Sequence, residues 1–285
     1  MNDLFKDSFK KQVNTSYSTF GNIKVIFSII LVGILIIWGI NKIITVDRTH
    51  RDLIRDLQSR SFGNKWVVAY ELSKYISGNQ IPSNDLPWVI KNLVSLYETS
   101  KDERTRDFVI VALGGLRTKL TFPYLINALD DPSDKVKFHA LTALGNSKEN
   151  DITKWKKVLK FLDNKDVGLR QSAIFVLSTH KIPSAEIKIV ELLSDNNIGV
   201  RYAAATALIY YRNMQSIPTL KEILKLNSFP KKDFIFSEGK VIALKLNILF
   251  ALQKEEWNPI KNFIISLGTT EKNMKILTEI KKYNK

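Results

Sequence analysis

Side chains that could carry out metal, nucleophilic or acid–base chemistry are few in this sequence and poorly spaced for it. The three histidines, His50, His139 and His180, have no second histidine three or four residues away, the spacing that would place two metal ligands on one helix face. Cysteine is absent, which excludes disulfides, thiolate metal sites and a thiol nucleophile. We therefore interpret the histidines as incidental and predict no metal site.

Acidic pairs and glycine-containing segments also lack the context that catalysis needs. Asp130–Asp131 lies in a predicted repeat turn, where carboxylates cap helices, and Glu255–Glu256 lies at a predicted helix end, so neither forms an acid–base couple. The segments GGLRTK and GNSKEN have neither the glycine spacing nor the preceding strand of a phosphate-binding loop. The sequence predicts a protein without catalytic residues or a cofactor.

The composition indicates a folded and basic protein. The chain has 285 residues, 45% of them hydrophobic, and a formal net charge of +15. Residues 46–285 alone carry 38 Lys and Arg against 26 Asp and Glu. Such a surface favours acidic proteins, anionic lipid headgroups or nucleic acid as partners. A lysine-rich composition without a function is the alternative interpretation.

One segment near the N-terminus is almost entirely apolar. Residues 25–40 read VIFSIILVGILIIWGI, and the flanking residues extend this to a 24-residue stretch at 23–46 in which Lys24 and Lys42 can snorkel to the headgroups. A helix of that length covers about 36 Å, enough for a hydrocarbon core of about 30 Å. No small-residue cleavage site follows, so we predict an uncleaved transmembrane helix at 23–46 after a short tail at 1–22.

The flanking charges favour a cytoplasmic location for the C-terminal part by a narrow margin. Four basic residues precede the apolar residues 25–40 and five follow them, up to Arg60. Positive charge is retained on the cytoplasmic side of membrane proteins. We therefore expect a single-pass protein of the cell membrane whose domain at 47–285 faces the cytoplasm.

The remainder contains an internal repeat. The segments LDDPSDKVKFHALTALG (129–145), LDNKDVGLRQSAIFVLS (162–178) and LSDNNIGVRYAAATALI (193–209) share one frame. Asp131, Asp163 and Asp195 are 32 residues apart at each step, while the basic residues Lys137, Arg170 and Arg201 are 33 and 31 apart. Regular spacing of this kind indicates a repeat architecture.

Each repeat reads as a helical hairpin, because a second amphipathic segment precedes every copy. In the copy at 129–145, Val136, Ala140, Ala143 and Leu144 fall on one helix face. Such a face can be buried only against neighbouring hairpins, and the alanines allow adjacent helices to approach closely. The sequence predicts an all-α solenoid of six to seven hairpins.

The repeats resemble the HEAT family, in particular the bacterial HEAT-like repeats first described in phycobilisome lyases, with the consensus L-x-D-x-x-x-x-V-R-x-x-A-x-x-A-L-G. Residues 129–145 match nearly every defined position, with Lys137 in place of arginine. The resemblance covers roughly residues 60–285. Residues 64–74 are also similar to the opening repeat helix of membrane-anchored bacterial HEAT proteins. The resemblance to the HEAT family implies a ladder of ion pairs between repeats. Six residues would then have a structural role: Asp131, Lys137, Asp163, Arg170, Asp195 and Arg201.

The period breaks after the last clear copy, since Arg201 and its counterpart Lys245 are 44 residues apart. The inserted residues centre on LNSFPKKDFIFSEGK at 226–240. Aromatic anchors beside lysines suit a contact with a partner, although the phenylalanines could instead fold back over the solenoid edge. The candidate partner-binding residues are Phe229, Lys231, Lys232, Phe234 and Phe236.

These patterns predict a non-enzymatic, membrane-tethered scaffold that binds a protein partner, for example a membrane complex, on the face lined by its second helices. Nucleic-acid binding through the basic face is one alternative, which the membrane segment disfavours. A chromophore-lyase-like subunit is another, implied by the family resemblance alone.

Overall fold

The structure, a computed structural model, describes residues 48–59, 64–78, 81–149, 151–228 and 235–284. This part of the chain contains fourteen α-helices and no strand. The predicted tail and the predicted transmembrane segment lie outside the described residues. Within the described ranges, no helix is long and apolar enough to cross a membrane.

The fourteen helices form seven consecutive hairpins, each made of a first and a second helix. The first helices are α1 (His50–Gln58), α3 (Leu86–Thr99), α5 (Phe122–Asn127), α7 (Lys156–Leu159), α9 (Glu186–Glu191), α11 (Ile217–Lys225) and α13 (Lys261–Leu267). The second helices are α2 (Lys65–Gly78), α4 (Glu103–Gly115), α6 (Asp134–Gly145), α8 (Val167–Thr179), α10 (Ile198–Ala207), α12 (Glu238–Lys254) and α14 (Met274–Lys281). Residues from Leu53 onward form one compact unit.

The polar turn of the repeat is a helix cap. Side chains at the residue just before α4, α6, α8 and α10 accept a hydrogen bond from a backbone N–H in the first turn; these residues are Asp102, Ser133, Asp166 and Asn197. A cap of this kind contributes about 1 kcal/mol. The turn residues of each repeat therefore fix where its second helix begins.

Second helices stack on second helices along the solenoid, in the order α2, α4, α6, α8 and α10. The predicted stripe of α6 is buried: Val136, Ala140 and Leu144 are 0% exposed and Ala143 is 9% exposed. At Gly114 of α4, a Cβ atom would lie 2.4 Å from the Cβ of Ala143. Small residues thus set the close distance between neighbouring hairpins, as the sequence predicts.

The hydrophobic core divides into two clusters that meet at α10. One cluster runs from Leu53 to Leu208, and the other from Tyr202 to Tyr283. Ala204 of α10 belongs to the first cluster, whereas its neighbour Ala205 belongs to the second. The two parts of the core therefore meet along α10 and at Leu193, which packs against both.

Candidate functional site

The repeat's basic and acidic residues form ion pairs between successive hairpins. The guanidinium of Arg106 donates to both carboxylate oxygens of Asp131, from Nε at 2.8 Å and from Nη2 at 3.1 Å. Arg170 Nη2 donates to Asp195 Oδ1 at 2.9 Å, again 25 residues further on. Each arginine also donates through Nη1 to carbonyls of the turn before its own helix. Each arginine side chain thereby links the turn before its own helix to the following hairpin.

These bonds change the titration of the carboxyl groups. Burial opposes ionisation of Asp131, but hydrogen bonds from Arg106, Ser133 and Tyr97 outweigh it and lower its pKa. For Asp195, burial is likewise outweighed by bonds from the Asn197 backbone and from Arg170, so its pKa is also lowered. Both side chains are therefore held as carboxylates at neutral pH.

The other predicted ladder residues lie differently. Lys137 donates to Asp134 at 2.8 Å on its own helix, and Asp163 pairs with Lys188 at 2.8 Å on the following hairpin. Arg201 donates to the carbonyl of Asp195 at 2.9 Å. Lys137 therefore pairs within its own helix and does not copy the pairing of Arg170 with the next hairpin.

The ladder resumes beyond the insertion with a different pair. Lys245 Nζ lies 2.7 Å from Glu271 Oε2, and the two side chains are only 5% and 6% exposed. Ser228 also donates to this carboxylate at 2.8 Å. The sequence identifies Lys245 as the counterpart of Arg201, but Glu271 is missed, because the acidic residue is not an aspartate and the spacing has shifted.

A groove of about 430 Å³ opens on the face of the second helices, between α8 and α12 and over α10. Its floor is low because α10 presents the small residues Gly199, Ala203 and Ala207. Phe175 of α8 and Phe250 of α12 stand on opposite walls, and they are 55% and 47% exposed. The groove is thus apolar at its centre and open to solvent.

Phe175 is positioned by the neighbouring repeat. A Cβ atom on Gly145 would lie 2.9 Å from Cε1 of the Phe175 ring, so the ring leans over a position where any side chain would collide with it. Aromatic side chains contribute large contact areas to protein interfaces. Gly145 therefore leaves the space that the Phe175 ring occupies on one wall of the groove.

Polar and cationic groups border this apolar centre. Gln171, Ser178, Thr206 and Asn247 supply amide and hydroxyl groups, and the cations Lys240 and Lys254 belong to α12. Lys254 Nζ lies 5.7 Å from the centre of the Tyr210 ring. None of the described residues that line the groove carries a carboxylate. The groove therefore favours an anionic ligand over a cationic one.

The inserted segment reaches the groove through Phe236. The ring of Phe236 lies 5.6 Å from that of Tyr202, which is 2% exposed and donates from its hydroxyl to Glu222 at 2.6 Å. Burial and the bond to Glu222 raise the pKa of Tyr202. Of the five predicted loop residues, Phe236 is the one whose position is described; Phe229, Lys231, Lys232 and Phe234 lie outside the described residues.

The histidines have structural neighbours that the sequence did not reveal. His139 on α6 hydrogen-bonds through Nδ1 to Asp107 of α4, a carboxylate that is 0% exposed, and Lys135 lies 3.4 Å from the same group. The His180 ring lies 4.3 Å from that of Trp155, and burial lowers its pKa. Among the described residues, no cluster of three His, Asp or Glu side chains could hold a metal ion.

Sequence and structure comparisons identify the repeat. Residues 155–230 match the family model described as HEAT repeats, which confirms the resemblance. No curated protein matches the chain.

Three solved structures share the fold at low sequence identity. The phycocyanin lyase complex of CpcE and CpcF from Nostoc sp. PCC7120 has a TM-score of 0.57 at 18% identity, over 83% of this chain and 95% of that chain. The protein YibA of Escherichia coli has a TM-score of 0.53 at 16% identity, over 82% and 81%. A designed armadillo repeat protein in complex with the peptide (KR)4 has a TM-score of 0.50 at 17% identity, over 72% and 99%.

Proposed function

We propose that this HEAT-repeat protein is a non-enzymatic scaffold, tethered to the cell membrane by a helix at 23–46 and facing the cytoplasm, whose groove binds a segment of a protein partner. The observation that carries the proposal is the open groove over α10, with two exposed phenylalanines on its walls. Exposed aromatic pairs of this kind are typical of binding surfaces. A tether raises the concentration of the scaffold near membrane complexes.

The groove has the dimensions of a short peptide. Lys240 and Lys254 lie four helical turns apart on α12, a distance of about 21 Å at about 1.5 Å per residue. An extended peptide covers that distance with about six residues. The amides of Gln171 and Asn247 can bond to its backbone, while an apolar side chain fits between Phe175 and Phe250. The designed armadillo protein was solved with a bound peptide, which supports this use of a related fold.

The lysines that border the groove predict which peptides it binds. The (KR)4 ligand of the designed protein is basic, whereas this groove is bordered by lysines and belongs to a chain of net charge +15. Its partner segment should therefore carry Asp or Glu on both sides of a central apolar residue.

The test compares two short peptides with the full chain in mild detergent. One has a central phenylalanine flanked by glutamates, and the other has lysines in their place; binding is measured by fluorescence anisotropy. We expect the acidic peptide to bind at least tenfold more tightly, because each lysine contact is worth up to about 1 kcal/mol. Equal binding of the two peptides would refute the charge preference.

Two variants locate the site. Ala203→Trp fills the floor of the groove and should abolish binding of the acidic peptide. Ile187→Trp is the matched control, because Ile187 is 77% exposed and lies outside the groove on a first helix. A cellular partner detected by proximity labelling should be lost with the first variant and retained with the second. If Ala203→Trp retains the partner, the groove is not the binding site.

A chromophore-lyase-like subunit is the second candidate, favoured by the fold similarity to the CpcE–CpcF complex. It predicts that the chain binds a chromophore, and absorbance spectroscopy with the free chromophore of phycocyanin would detect this. The nucleic-acid alternative has no comparable support in the groove.

A further inference from the structure

A second open cleft, separate from the groove, lies where the first and second hairpins meet. It has a volume of about 740 Å³ and lies between the ends of α2 and α4, with Lys148 beyond α6 on its border. Three exposed cations line it: Arg117, Lys119 and Lys148. No carboxylate is among its described lining residues, and none of these three cations forms an ion pair within the described part of the chain.

The backbone conformation of the turn after α4 does not favour an arginine at position 117. Arg117 has a φ of 48°, a left-handed conformation that favours glycine or asparagine. The corresponding residues after α8 and α10, Lys181 and Arg212, have the same conformation, with φ values of 49° and 54°. Lys181 pairs with Glu255 at 2.6 Å and Arg212 donates to the Glu255 carbonyl at 2.6 Å. Arg117 differs from both because its cationic group faces an open cleft.

Apolar side chains border the cations. Leu120 is 55% exposed and Tyr124 is 37% exposed, and both line an adjoining cleft with Pro87, where Lys91 and Glu98 offset each other in charge. Leu86, which precedes Pro87, lines the cationic cleft, so the two surfaces are continuous. Cations beside an exposed Leu and Tyr match the composition that proteins present to the interface of a bilayer.

We propose that this surface, the basic cleft with its apolar border, docks on the phosphate groups of anionic phospholipids. The inference rests on the proposed tether: the predicted span ends at Val46, four residues before α1 begins at His50, so the first hairpins follow the bilayer directly in the chain. Each cation near an anionic surface favours docking by about fivefold, so three provide about a hundredfold. Docking on nucleic acid would leave Leu120 exposed, whereas a bilayer interface covers it.

The absence of cysteine makes a site-specific label straightforward. The full chain carrying Leu120→Cys with a nitroxide label is inserted into nanodiscs of phosphatidylcholine alone or with phosphatidylglycerol. We expect the accessibility of the label to a water-soluble nickel complex to fall at least threefold when the anionic lipid is present. The matched label at Ile187→Cys, which is also exposed on a first helix, should not change.

A charge variant tests the cause of this protection. Arg117→Gln, Lys119→Gln and Lys148→Gln together should restore the accessibility of the label at position 120 in anionic nanodiscs. Unchanged accessibility in the two lipids, or protection that persists in the triple variant, would overturn the proposal. A salt-sensitive shift of duplex DNA that the triple variant abolishes, without protection of the label, would assign the cleft to nucleic acid instead.

Co-flotation with vesicles separates this proposal from the tether. If the tether is correct, the full chain floats with phosphatidylcholine vesicles whether or not the three cations are present. If it does not float, the tether is wrong, and the cleft is then tested with vesicles containing phosphatidylglycerol. In that case the triple variant must bind at least tenfold more weakly than the unaltered chain, or the docking proposal also fails.

Discussion

The interface between α8 and α10 differs from the interface between α10 and α12, although each joins the second helices of consecutive hairpins. At the first, Arg170 reaches Asp195 of the next hairpin and the helices pack closely. At the second, Arg201 bonds only to carbonyls of its own turn among the described residues, and α12 begins after an insertion and has 17 residues against 10 in α10. The first interface stabilises the solenoid, and the second leaves a groove.

A missing ion pair does not open a groove by itself. Lys137 and Asp163 form no pair with each other, yet α6 and α8 remain packed together. What distinguishes the interface of α10 with α12 is the longer helix and the small side chains of α10. The comparison therefore separates two roles: ion pairs hold hairpins in register, and helix length and side-chain size shape the binding surface.

The largest expected effect comes from breaking the closed interface. Asp195→Asn leaves the guanidinium of Arg170, whose side chain is 13% exposed, without a carboxylate, and should lower the free energy of unfolding by about 3 kcal/mol. Arg201→Gln at the open interface removes only bonds to carbonyls and should cost about 1 kcal/mol. Urea denaturation of the full chain in detergent, followed by circular dichroism, measures both. An equal loss of unfolding free energy in the two variants would mean that both interfaces depend on their arginine to the same extent.

The next prediction contrasts two sides of α10. Ala204 is 0% exposed, so Ala204→Leu should overpack the core and cost about 2 kcal/mol. Ala203 lines the groove, and Ala203→Leu should change the free energy of unfolding by less than about 0.5 kcal/mol. The same denaturation measurement applies. A large loss at Ala203 would show that the groove is filled by protein atoms in solution.

The smallest effect is a dependence on pH. The lowered pKa values of Asp131 and Asp195 mean that their stabilisation is fully present above the ordinary aspartate pKa of 3.8 and is lost as the pH falls through the lower value of the folded protein. Stability should therefore decline below about pH 4. In Asp195→Asn the decline should be shallower, because one of the two carboxylates no longer titrates. An identical slope in the variant would exclude a contribution from this pair.

The sequence predicts the regular part of the fold well, because the repeat determines it locally. The buried face of α6 and the close approach at Ala143 both follow from residue type and spacing. The position of the period break is also visible, since Lys245 is recognisable as a counterpart of Arg201.

The groove itself is not predictable from the same patterns. Gly199 and Ala203 read as ordinary small residues of a stacked helix, and only the position of α12 shows that they face a groove. The bond between His139 and Asp107 escapes notice for a related reason, because the two residues are 32 positions apart on different helices. Contacts between repeats depend on the offset of one hairpin against the next, which composition does not encode.

The division of the core at α10 has a consequence for folding cooperativity. Because the two clusters meet mainly along α10, we expect the C-terminal hairpins to open with a local free energy that differs from that of the preceding hairpins. The groove lies across this division, with Phe175 on one side and Phe250 on the other. A bound segment would contact both clusters and stabilise them together. Binding in the groove should therefore slow amide hydrogen exchange throughout α12 and α14.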